Sequence, residues 1–67
     1  MNAYNGILYD QLVAAIVRNV IAPDDRQAAE EAAYFLYVAA DLIGQDGIRA
    51  AMTEAKATVR RAAFVVV

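Results

Sequence analysis

The chain has 67 residues, a formal net charge of −2 and 61% hydrophobic residues, with no Cys, His or Trp. No disulfide can staple it, the commonest transition-metal ligands are absent, and the negative balance argues against broad, phosphate-driven nucleic-acid binding. A domain this short buries only about 60% of the surface its unfolded form exposes. Its apolar content is above the roughly 45–50% of an ordinary soluble domain, and that mismatch predicts self-association or an obligate partner.

A first helix is predicted over about residues 5–21. Leu8, Leu12, Ile16 and Val20 form one row at helical spacing, and Tyr9, Val13, Val17 and Ile21 form the adjacent row. Together the rows span more than half the circumference, with Asp10, Gln11 and Arg18 on the wet side. Val13, Ile16, Val17, Val20 and Ile21 would also suit a strand, but the polar residues recur at helical intervals and decide for helix. Polar residues at 10, 11, 18 and 19 interrupt the run far short of a membrane-spanning segment, and the start "MNAYNG" lacks the basic opening of a signal peptide. A cytoplasmic protein without a membrane segment is the expectation.

"APDDR" (22–26) breaks the chain. Pro23 disfavours helix at the residue before it, and Asp24 and Asp25 sit where the dipole of a following helix favours anions. The second helix is predicted over about 24–43. Phe35, Val38, Ala39 and Leu42 share its apolar side, extended by Leu36, Ala40 and Ile43, whereas Tyr34 and Tyr37 fall beside Glu30 and Asp41 at the edge of an acidic stripe. Ala28, Ala32 and Ala39 share one side, and Ala29, Ala33 and Ala40 another. Such spacings permit close helix approach and are equally what helix propensity alone selects. Gly44 is placed to cap this helix, "GQDG" reads as a turn, and Asp46 as the N-cap of a third helix over about 47–64. The third helix carries a narrow seam of Ile48, Met52, Ala55, Val59, Ala62 and Val66. The uncharged "FVVV" ending is expected to be covered by the bundle or by a neighbouring subunit.

The side-chain inventory rules out much chemistry. With no Ser, His or Cys, neither Ser–His–Asp nor Cys–His catalysis is available within the chain. Gly6, Gly44 and Gly47 do not form a phosphate-binding loop. Glu30 and Glu31 diverge around their helix, and Glu30 and Asp41 stand about 16 Å apart along it, too far for a paired-carboxylate mechanism. No catalytic residue, metal site or cofactor is expected, and the chain reads as a non-enzyme.

The sharpest polar feature is on the third helix. Arg49, Lys56 and Arg60 fall within about 40° of one another, with Thr53 nearby and Arg61 further round. The second helix has the opposite sign, with Asp24, Asp25, Glu30, Glu31 and Asp41 against Arg26 alone. The basic row is open to three readings: surface charge that pairs with the second helix or stays solvated, a docking surface for an acidic protein partner, or an anion site. In the last, Arg49, Lys56, Arg60 and Arg61 bind the charge and Tyr34 or Tyr37 stacks. A DNA-reading helix–turn–helix fits poorly, because the helix before the turn is too long and the chain is acidic.

The expected fold is a single all-α domain over residues 1–67, a three-helix open bundle completed by homo-oligomerisation. The expected function is a non-enzymatic interaction protein, an adaptor or inhibitor that occludes a partner protein. The alternative is an oligomeric sponge that sequesters an anionic small molecule, such as a nucleotide, at an inter-subunit pocket.

Overall fold

The computed structural model describes residues 6–66, with side-chain surroundings for residues 6–63. The described residues are all-helical. Helix α1 spans Ile7–Ile21 and helix α2 spans Arg26–Val66. In place of three separate helices there are two that pack together, and the second is bent. Gly44 (φ 70°, ψ −177°) interrupts it, leaving arms at 26–43 and 45–66. That backbone conformation is open essentially to glycine alone, so one residue turns the chain where a four-residue turn is expected.

The rest of "GQDG" is already helical. Asp46 acts on a side chain instead of capping, with its carboxylate 3.6 Å from the Arg49 guanidinium one turn on. Gly47 is buried for a different reason. A Cβ there would stand 2.6 Å from Cβ of Ile43, so only glycine lets the Ile43 side chain fold across the inside of the bend.

The α1–α2 turn closes by local bonds. The Ala22 amide donates to Arg18 O (2.9 Å) and the Asp25 amide to Ala22 O (3.0 Å). Asp25 Oδ1 then accepts from the amides of Gln27 (2.9 Å) and Ala28 (3.2 Å). Asp25 is therefore the N-cap, and α2 begins at Arg26 rather than at Asp24.

Helix α1 lies in the crook of the bent helix. Tyr9, Leu12, Val13 and Ile16 of α1 cluster with Ala39 of the first arm and with Ala51 and Ala55 of the second. Phe35, Leu36, Ile43 and Ile48 close around this cluster, half-buried. Bulk comes from α1, and α2 supplies methyl groups that let the helices approach closely. Of the two alanine sets on the first arm, Ala28, Ala32 and Ala39 are buried, whereas Ala33 and Ala40 are exposed and Ala29 is intermediate. The first set packs, and the second mainly reflects propensity.

The seam of the second arm departs from its expected course. Ala51 and Ala55 are its buried members, Ile48 and Val59 are half-covered, and Met52 and Ala62 are exposed. The large α1 side chains fill the space, so the contact line follows the alanines rather than Met52. Leu42, expected on the apolar side, is 70% exposed just before the bend. The side chains of the "FVVV" ending lie outside the described residues, and with them the expected cover for that tail.

Candidate functional site

An open groove of about 540 Å³ runs between the N-terminal end of α1 and the second arm. It is lined by Tyr9, Asp46, Arg49, Thr53 and Glu54, with Ala50 and Ala57 beneath. The Tyr9 hydroxyl donates to Glu54 Oε1 at 2.8 Å, bridging α1 to the second arm. Burial, reinforced by the Glu54 hydrogen bond and by the negative charges of Glu54 and Asp10, pushes the Tyr9 phenol up to about 12. Tyr9 is thus a neutral donor fixed on a carboxylate, unsuited to act as a base near neutrality. A second hollow of about 320 Å³ lies beside the first, lined by Gln45, Ile48, Arg49 and Met52. Arg49 contributes to both.

The charge of the larger groove is one guanidinium against two carboxylates, which gives an anion little reason to settle there. No buried side-chain nitrogen or oxygen lacks a hydrogen-bond partner, and no group of three or more His, Cys, Asp or Glu is placed to hold a metal ion, among the described residues.

The six residues singled out from the sequence divide between the two arms. Arg49, Lys56 and Arg60 are exposed on the second arm, on the side away from Ala51 and Ala55. Arg49 has Asp46 as a neighbour, and Lys56 and Arg60 form no ion pair among the described residues. Arg61 donates to Thr58 Oγ1 (3.3 Å), whose own hydroxyl donates to Glu54 O (2.9 Å), and so belongs to a different side. Tyr34 and Tyr37 are 62% and 82% exposed on the first arm, away from its buried alanines. Tyr34 meets Phe35 edge to face with ring centroids 5.5 Å apart. No hydrogen bond, ion pair or ring contact joins Tyr34 or Tyr37 to the basic row among the described residues.

Three contacts have no counterpart in the sequence reading. Tyr9 and Glu54 are 45 positions apart, and no periodicity links them. Glu31 pairs with Arg18 of α1 at 2.6 Å rather than with the basic row, and Glu30 pairs with Arg26 at 3.4 Å within its own arm. The acidic and basic arms therefore do not neutralise each other within one chain.

No helix is long and apolar enough to cross a membrane among the described residues. The chain matches no protein-family model, and comparison with characterised proteins and with solved structures yields no match.

Proposed function

We propose that the chain is a non-enzymatic, cytoplasmic interaction protein that assembles with copies of itself and works by covering a surface of a partner protein, as an adaptor or inhibitor. The observation that carries this reading is the imbalance between what the fold covers and what it leaves out. Among the described residues six of the ten buried hydrophobic residues are alanines, and Leu12 is the one large side chain that is fully buried. Meanwhile Ile7, Ile21, Tyr34, Tyr37 and Leu42 are all more than 60% exposed. Burying an apolar side chain is worth about 1.5–3 kcal/mol, so a second surface laid over these residues stabilises a small core substantially. Sedimentation velocity at low micromolar concentration tests the reading. An associated species is expected, and a stably folded monomer overturns it.

A second reading has narrower support. Lys56 and Arg60 are exposed cations without ion pairs among the described residues, and in an assembly they would present charge to an anionic small molecule such as a nucleotide. Native mass spectrometry of protein purified from cells is expected to show a bound anionic mass on this reading. Absence of that mass, with no thermal shift across a nucleotide panel, favours protein docking.

A further inference from the structure

The exposed tyrosines belong to a longer stripe. Glu30, Tyr34, Tyr37 and Asp41 follow one another in steps of four, three and four residues. On the other arm Arg49, Thr53, Lys56 and Arg60 follow the same steps in the same order. At 3.6 residues per turn each set falls within about 60° on one face and extends about 16 Å along its arm. All eight residues are exposed, and each stripe lies across its arm from that arm's buried alanines.

The stripes match in chemistry as well as in length. One has a carboxylate at each end and two aromatic rings between them. The other has a guanidinium at each end, with a hydroxyl and an ammonium between. Laid antiparallel, Glu30 meets Arg60, Asp41 meets Arg49, and Lys56 comes over the ring of Tyr34. Laid parallel, the end charges still pair and Lys56 comes over Tyr37. In both registers carboxylates meet guanidinium groups and a cation meets an aromatic face.

Within one chain no such pairing occurs. Both stripes lie across their arms from the buried alanines, with Arg49 and Thr53 on the groove beside Tyr9, and no ion pair or hydrogen bond joins the two stripes among the described residues. The pairs that compete for the same groups, Arg26–Glu30 at 3.4 Å and Asp46–Arg49 at 3.6 Å, are exposed contacts within an arm. Such pairs contribute little and yield readily to a better partner.

We propose that copies of this chain join through unlike stripes, the acidic tyrosine stripe of one copy seated on the basic stripe of another. The proposal rests on the self-assembly reading above and specifies its interface. A two-fold contact between like stripes would set Glu30 against Asp41, or Arg49 against Arg60, and like charges repel. Complementarity therefore selects contact between unlike stripes, which closes into a two-fold dimer where it is made reciprocally and into a ring or a filament where it is not.

Two charge-reversed proteins test it by sedimentation velocity at low ionic strength. One carries Glu30→Lys with Asp41→Lys, and the other Arg49→Glu with Arg60→Glu. Each alone is expected to associate about tenfold more weakly than wild type, or less still. An equimolar mixture is expected to regain association, because the intact basic stripe of the first protein meets the intact acidic stripe of the second. A wild-type chain that stays monomeric removes the self-assembly reading and this proposal with it. A wild-type chain that associates while either variant does so equally well overturns this interface alone. Variants that stay monomeric when mixed overturn the pairing of unlike stripes. Far-ultraviolet circular dichroism checks that helicity is retained. Where reversal lowers helicity, Glu30→Gln with Asp41→Asn replaces it, with weakened association expected and unchanged association contradicting the proposal.

Discussion

Tyr9 and Leu12 show how much a single side chain carries in so small a core. Leu12 is fully buried among alanines and α1 neighbours. Leu12→Ala leaves a cavity that short neighbours cannot fill, at a cost of about 2–5 kcal/mol. That is a large share of the stability of any domain this size, so thermal melts are expected to show the variant largely unfolded at physiological temperature.

Tyr9 adds a dependence on pH. Its folded pKa of about 12 lies above the ordinary tyrosine value near 10. The fold therefore favours the neutral phenol. Its stabilisation is complete below about pH 10 and is lost as the pH rises towards 12. Tyr9→Phe removes both the hydrogen bond to Glu54 and this alkaline loss. Denaturant titrations are expected to find the variant about 1 kcal/mol less stable at pH 7. Between pH 10 and 12 its stability should fall less steeply than that of wild type, and parallel profiles would count against the Tyr9–Glu54 contact.

For the elements, the bend at Gly44 decides the fold. It breaks a 41-residue helix into arms that both reach α1. Gly44→Ala puts a Cβ on a backbone that side chains rarely tolerate, at a cost on the order of 1–3 kcal/mol. The alternative for that variant is a straight α2, which draws Ala51 and Ala55 away from Tyr9 and Leu12. Either way the melting temperature is expected to fall while far-ultraviolet helicity holds or rises. A melting temperature equal to that of wild type would mean that the bend does not support the core.

At the scale of the whole molecule, the structure is a slab of 37 × 29 × 17 Å whose outer faces are acidic and aromatic on one arm and basic on the other. A protein that gains burial from its own copies has a stability that rises with concentration. The melting temperature is therefore expected to fall across a hundredfold dilution series at low ionic strength, and that dependence to flatten as salt screens the facing charges. A melting temperature independent of concentration argues for a self-sufficient monomer.

Much of this was legible in the residues themselves. Leu12, Ile16, Tyr9 and Val13 announce α1 by spacing, Pro23 with Asp25 announces its end, and Gly44 marks the bend. The separation of acidic Glu30 and Asp41 from basic Arg49 and Arg60 is equally a matter of counting along helices. Each of these depends on neighbours a turn or two away, where helical periodicity, backbone restriction and charge act directly. The missing chemistry of Ser, His and Cys is likewise fixed by composition.

The tertiary structure decided which alanines pack and which are mere helix formers, why Met52 stays outside while Ala51 goes in, and that Tyr9 finds Glu54 while Tyr34 and Tyr37 face outward. Those outcomes depend on how α1 seats in the crook of α2. That seating is set by the angle at Gly44 and by the bulk of four α1 side chains, quantities that no local pattern along the chain contains.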